Sequence, residues 1–249
     1  MKVSIITATY NSSKTIADCI TSVNDQTFYN IEHIIVDGAS KDKTISLIHS
    51  LPSRVAKVIS EPDKGIYDAM NKGIKIATGD VIGILNSDDF YENEHVINEI
   101  VDIFNNNEVD CVHAELYYVN KDNTSQIVRH WKTNDYYAGA FKKGWHPAHP
   151  TFFVRKEIYN KYGLFNLEFK LAADFELMLR FIEHYKVQSV YFNKPIVRMR
   201  LGGATSKSMK NIIKQNIECY RAFKINDIQV SLLYPLIRLV PKIKQYFHG

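Results

Sequence analysis

Two adjacent carboxylates, Asp88 and Asp89, follow directly on the apolar run Val81 to Leu85, in the segment Asn86-Ser87-Asp88-Asp89. Like charges side by side at the end of a buried strand disfavour joint ionisation unless something positive meets them. A hard divalent cation, magnesium or manganese, is such a partner, because both take oxygen ligands. Taken alone, the pair also fits a solvated turn, since Asp favours turns and helix caps. Asp37-Gly38-Ala39-Ser40 is a second acidic site. Its carboxylate can accept a hydrogen bond from a nucleobase N–H, while Gly38 permits a tight turn.

The elements that must position these groups alternate between two periods. Val3–Thr7, Ile31–Val36, Val55–Ser60 and Val81–Leu85 are short β-rich runs. Between them, Ile16, Cys19, Ile20 and Val23 recur at helical spacing, Asp42–Ile48 reads as a helix, and Ile66, Met70, Gly73, Ile74 and Ala77 form one apolar stripe. This alternation predicts an α/β fold with a mostly parallel sheet flanked by helices. Open sheets of that kind bind ligands beyond the carboxyl ends of their strands. Thr7, Asp37, the Ser60–Asp63 segment and Asp88-Asp89 all fall there, so four strands aim polar groups at one rim. That shared placement favours a binding site over an isolated turn.

The second half is less regular. Cys111–Val119 and Gln126–Trp131 read as an antiparallel pair, Tyr136–Ala148 as an aromatic, loop-rich wall, and Phe175, Met178, Leu179 and Ile182 as a helix starting near Asp174. The segment Ser206–Phe223 reads as helical, and Ser231–Phe247 mixes apolar residues with Arg238, Lys242 and Lys244.

Composition narrows the field. Apolar residues are 45% and charged residues 23% of the 249, which is the balance of a globular chain and not a disordered one. A net charge of +4 is too small for a dedicated nucleic-acid binder. Cys19, Cys111 and Cys219 are odd in number and far apart, which argues for a reducing compartment. The amino terminus carries too short an apolar run for a signal peptide, and no segment reaches the roughly 20 apolar residues of a membrane span. The expectation is a cytoplasmic protein, with peripheral contact at the inner face of the cell membrane left open.

Four motifs occur in order: Thr7-Ala8-Thr9-Tyr10-Asn11, Asp37 to Thr44, Asp63-Lys64-Gly65-Ile66-Tyr67-Asp68-Ala69-Met70-Asn71, and Asn86-Ser87-Asp88-Asp89. Together they resemble the family 2 glycosyltransferases, which have the GT-A (Rossmann-like) fold and invert the anomeric centre. The resemblance runs from about residue 3 to 203, and its first 90 residues are the most specific. It implies a GT-A domain over 1–203, with a nucleotide-binding half at 1–90 and an acceptor-binding half at 91–203. A helical C-terminal extension would follow at 204–249.

By that resemblance Thr7, Ala8 and Tyr10 line the base and ribose pocket, Asp37 reads the base, and Lys64 meets the diphosphate. Asp88 holds the ribose or shares the metal, and Asp89 ligates Mn2+ or Mg2+. Leu171–Arg180 resembles the family's acidic motif, with Asp174 at the catalytic base position and Glu176 in reserve. Here Ala173 precedes Asp174 where many relatives carry Glu. As an isolated residue, Asp174 equally suits a helix N-cap.

Trp145-His146-Pro147-Ala148-His149-Pro150 could contribute Trp145 as a sugar platform and His149 as an acceptor or phosphate contact. Ordinary packing accounts for both as well. Arg198 to Gly203 resembles the glycine-containing stretch after the last core strand, without the His that supplies a metal ligand in some GT-A enzymes. The partners implied are a nucleotide-sugar, most simply a UDP-sugar, and a saccharide or lipid-linked saccharide acceptor in surface polysaccharide assembly. The tail, with Leu232, Leu233, Leu236, Ile237, Leu239, Val240 and Ile243 among basic residues, suits a membrane interface or a packed cover.

A catalytically inactive nucleotide-sugar binder of the same fold is the alternative from another class. A nucleotidyltransferase is weaker, because Thr7–Asn11 has neither Gly nor Lys to handle a triphosphate. A dinucleotide oxidoreductase lacks its G-x-G-x-x-G.

Overall fold

The computed structural model describes residues 1–202 and 209–238, and its centre is β1 (Val3–Thr9), a strand buried at all seven positions. A strand covered on both faces must be apolar or must find partners for its polar groups. Val3, Ile5 and Ile6 do the first. Ser4 and Thr7 do the second: Ser4 Oγ donates to Glu32 at 2.5 Å, and Thr7 Oγ1 lies 2.9 Å from His33 Nε2. β2 (Ile31–Asp37) and β4 (Val81–Ile84) flank β1 in parallel, and β3 (Val55–Ser60) pairs with β2.

Three crossover helices cover this half: α1 (Ile16–Asn24), α2 (Thr44–Ser50) and α3 (Ile66–Ile76). α1 buries the stripe that its spacing predicts, and α3 buries its expected stripe except Ile66, which is exposed at the helix start. In α3, Met70 and Ile74 go to the core, each burial contributing about 2 kcal/mol. Gly73 lets α3 lie close on β1, since a Cβ there would come within 2.5 Å of Ile6 Cγ2.

The second half continues the same sheet with mixed pairing. β5 (Phe90–Tyr91), α4 (Val96–Asn106), β6 (Cys111–Val119) and β7 (Ile127–Trp131) lead into the short β8 (Phe153–Arg155) and α5 (Lys156–Tyr162). α6 (Ala173–Met178) then runs on as a π-helical turn, Leu179–His184, before β9 (Ser189–Arg200), α7 (Met209–Ile225) and α8 (Tyr234–Ile237). The strand order is β3-β2-β1-β4-β8-β6-β9-β5, with β7 on β6. The expected antiparallel pair is β6–β7. The sheet is parallel from β3 to β4, antiparallel around β8, and parallel again between β6 and β9. Sequence pattern does not signal β8 or β9. One is three residues long, and the other is broken by Asn193-Lys194-Pro195, beside which its register with β6 shifts.

α7 buries Cys219, Ala222 and Phe223 in the same core as Phe175, Leu177 and Ile6. In the tail, Leu232 and Leu233 are exposed, whereas Arg238 is buried, with Nη1 donating to Asn216 at 2.9 Å and its guanidinium over the Phe175 ring. That basic residue is part of the packing and not of an outward basic face. Gly203, Leu239, Val240 and Ile243 lie outside the described residues, as do the side chains of Leu236 and Ile237. Among the described residues, no helix is long and apolar enough to cross a membrane.

Candidate active site

The rim beyond β1, β2 and β4 is stitched together by short polar side chains. Asn11 N donates to Ser40 Oγ at 2.7 Å, and Lys41 N returns the contact to Asn11 Oδ1 at 2.9 Å. Ser12 N donates to Thr44 Oγ1 at 2.8 Å, and Ser12 Oγ meets Ser87 Oγ at 2.9 Å. Asn11 and Ala39 hold φ of 49° and 61°, a left-handed conformation that costs energy outside glycine and persists where surroundings enforce it.

Asp37 is buried at the end of β2. Its Oδ2 accepts from Ser40 N at 2.9 Å and Ser60 Oγ at 2.7 Å, and its Oδ1 from Ser40 Oγ. Three donors leave one of the carboxylate's acceptor positions unused. Gly38 is set by close approach: a Cβ would stand 2.5 Å from Asp63 Oδ2 and 3.4 Å from Tyr10 Cδ2. Tyr10, 58% exposed, and Asp63 thus face the same opening. Lys64 is exposed beside them, its backbone N–H held by Asp68 at 2.9 Å. Thr7 and Ala8 are corrected by the structure. The Thr7 hydroxyl is turned inward to His33, and the Ala8 methyl packs in the core with Val36 and Met70, so neither side chain lines a pocket.

Asp89 is 1% exposed. Its Oδ2 accepts from Asn86 Nδ2 at 3.0 Å, but its Oδ1 is buried with no partner among the described residues. Burial, and then the neighbouring Asp88, raise its carboxyl well above the usual carboxylate range. An orphaned carboxylate oxygen beside a second carboxylate suits an oxygen-seeking cation, which would remove the cost of ionising it. Among the described residues no group of three or more His, Cys, Asp or Glu is arranged as a ready metal cage. Below the turn, Arg200 Nη1 donates to the Asp88 carbonyl at 2.6 Å.

Asp174 lies in the first turn of α6, which begins at Ala173 with no side-chain cap. Its carboxylate is therefore not a helix cap. Tyr67 Oη donates to its Oδ1 at 3.1 Å, and His149 Nδ1 lies 3.4 Å from its Oδ2. The other ring nitrogen, Nε2, lies 3.1 Å from Asn86 Nδ2. Burial pushes the His149 pKa down against the opposing pull of Asp174 and Asp88. Beneath Asp174 and His149 is an apolar cavity walled by Met70, Ile84, Phe152 and Phe165.

Glu176, the reserve base, is excluded: it is 1% exposed, paired with Arg180 Nε at 2.9 Å and bonded by Asn226 Nδ2 at 3.1 Å. Trp145 meets Phe141 edge-on at 5.2 Å and His113 at 5.5 Å, which makes it part of the aromatic wall.

Residues 4–163 match the family described as "Glycosyl transferase family 2". The chain belongs to that family. Among curated relatives of this glycosyltransferase, a PGL/p-HBAD biosynthesis glycosyltransferase of Mycobacterium bovis is 25% identical over 96% of this chain and 91% of its own. An uncharacterized glycosyltransferase of Mycobacterium tuberculosis is 31% identical over 72% of this chain and 68% of its own.

Solved structures share the GT-A fold. S. aureus TarS 1-349 in complex with UDP-GlcNAc has a TM-score of 0.70 at 18% identity, over 99% of this chain and 73% of that one. The Pyrobaculum calidifontis mannosyltransferase PcManGT, in complex with GDP-Man and Mn2+, has 0.67 at 18% identity, over 99% and 70%. The family-2 glycosyltransferase described here spans 44% of a longer TarS chain.

Sequence reasoning left Tyr67, Asn86, Asp63 and Arg200 without roles. All four sit inside motifs that it singled out, and only the three-dimensional contacts distinguish them from their neighbours.

Proposed function

We propose that this glycosyltransferase moves a sugar, a hexosyl or N-acetylhexosaminyl group, from a nucleotide-sugar to a hydroxyl of a saccharide or lipid-linked saccharide, with inversion. A UDP-sugar is the first choice of donor, and surface polysaccharide assembly, on the cytoplasmic side of the cell membrane, the expected setting. The observation that carries this reading is the pairing of a buried, unpartnered Asp89 oxygen with a second carboxylate, Asp174, which His149 and Asn86 connect to it.

The donor would occupy the half formed by 1–90, with Tyr10 against the base, Asp37 reading it, Asp88 near the ribose and Lys64 reaching the diphosphate. Asp89, with Asp88, would hold Mn2+ or Mg2+, whose charge stabilises a departing diphosphate. The acceptor would lie over 91–203. Asp174 takes the acceptor proton as its oxygen bonds to the anomeric carbon, and the electron pair of the breaking C–O bond leaves with the nucleoside diphosphate. Holding both reactants in line would supply much of the rate gain.

Asp174→Asn tests this reading. Nucleotide release from a panel of UDP-, GDP- and dTDP-sugars should fall roughly 10²–10⁴-fold, while binding of the nucleotide itself is kept. Near-normal turnover in the variant would refute the assignment. A variant and a wild type that both bind nucleotide without turnover would favour an inactive binding protein.

A further inference from the structure

The contacts around Asp174 form one continuous chain across the two halves of the fold. Asn86 Nδ2 donates to Asp89 Oδ2 at 3.0 Å and faces His149 Nε2 at 3.1 Å. An amide N–H2 can only donate, so His149 Nε2 accepts, and in a neutral ring the proton is then on Nδ1. That nitrogen lies 3.4 Å from Asp174 Oδ2, while Tyr67 Oη donates to Oδ1 at 3.1 Å. Stacking on Phe165 at 5.5 Å holds the Tyr67 ring. Burial and the facing carboxylate push its hydroxyl pKa well above the ordinary value, so it remains a donor.

We infer that Tyr67 and His149 are positioning residues that clamp the two oxygens of Asp174, and that Asn86 fixes the His149 tautomer from the donor side. The inference rests on Asp174 being the base. Tyr67 supplies a hydrogen bond to the carboxylate, His149 Nδ1 stands within ion-pair reach of its other oxygen, and neither needs to lose a proton for the base to act. Asn86 touches the donor-side carboxylate and the clamp at once, so displacing it disturbs Asp174 without touching it.

A two-bond 15N-histidine spectrum of the full chain at neutral pH, with His149→Asn to assign the signal, reads the tautomer directly. The expected result is a neutral, Nδ1-protonated ring that becomes a tautomer mixture in Asn86→Ala. An Nε2-protonated ring in the wild type overturns the inference. Turnover provides the second readout, as nucleotide release from UDP-GlcNAc and GDP-mannose with Mn2+. Asn places its amide N–H2 where Nδ1 stood, and Gln places its own where Nε2 stood.

His149→Asn should therefore retain a third or more of wild-type kcat. His149→Gln and Tyr67→Phe should lose about tenfold or more in kcat, with donor KM unchanged, the loss expected of a removed hydrogen bond to a charged group. Equal losses in Asn and Gln, or losses confined to KM, overturn the clamp. If Asp174→Asn leaves turnover intact, the base assignment fails instead, and the tautomer spectrum still decides the His149 geometry.

Discussion

Arg200 holds the Asp88 carbonyl from beneath, its Nη1 donating at 2.6 Å from a side chain that is 6% exposed. Its Nη2 pairs with Asp18 at the start of α1, and its guanidinium lies over the Phe90 ring at 5.0 Å. The last long strand is thereby tied to the acidic turn. Lysine keeps the charge but loses the planar fork. Arg200→Lys should cost about 1–3 kcal/mol of stability, read by urea denaturation, because a part-buried carbonyl loses its partner. If the proposed donor site holds, the substitution should also weaken nucleotide binding in the presence of Mn2+. Wild-type values for both would show that the tie is incidental.

Gly38→Ala should separate pocket shape from folding. The added methyl meets Asp63 Oδ2, the far end of a flexible side chain, at 2.5 Å. Asp63 can swing away, so the stability loss should stay within about 1 kcal/mol. Nucleotide affinity should nevertheless fall about tenfold, as the gap between Tyr10 and Asp63 narrows. Calorimetric binding equal to wild type would place the base elsewhere.

Gly83→Ala should do the reverse. Its Cβ would stand 2.4 Å from Phe153 Cε1, and the whole ring edge lies within 3.1 Å inside a fully packed layer. Overpacking of this kind costs about 1–3 kcal/mol. A denaturation midpoint at or above wild type would contradict the packing described.

Acid should destabilise the protein through two neighbours on β2. Burial alone would raise the Glu32 carboxyl, but bonds from Lys2, Ser4 and Thr78 outweigh it and hold the pKa down at about 2, from 4.5. The unfolded chain therefore takes up this proton first, and stabilisation complete above pH 4.5 is lost as pH falls toward 2.

Burial lowers His33 from 6.5 to about 3, so its contribution is lost between those values in the same direction. Urea midpoints should fall from pH 7 downward. Glu32→Gln should flatten the limb below 4.5, and His33→Gln the limb above it. An unchanged profile in both variants would contradict these assignments.

The rim was legible because it follows from strand ends. Asp37 and Asp88-Asp89 each close an apolar run, and a parallel sheet brings such ends together whatever else the chain does. Side-chain direction was not legible at β1: Thr7 looks like a pocket residue until His33, 26 positions away, is seen to take its hydroxyl. The surroundings of Asp174 were hidden for the same reason. Tyr67 is 107 residues from it in sequence, and His149 is reached from a 3-10 turn whose Pro-rich sequence reads only as a loop. β9 escaped because three of its central residues break the apolar pattern without breaking the strand.

Asp89, with its unpartnered oxygen, is proposed to make a cation-dependent nucleotide site. Titration calorimetry of UDP and GDP, each with and without Mn2+, on wild type and Asp89→Asn tests it most directly. One nucleotide should bind at least tenfold tighter with Mn2+ than without, and Asp89→Asn should abolish the difference. Equal affinities with and without the cation in both proteins would contradict it.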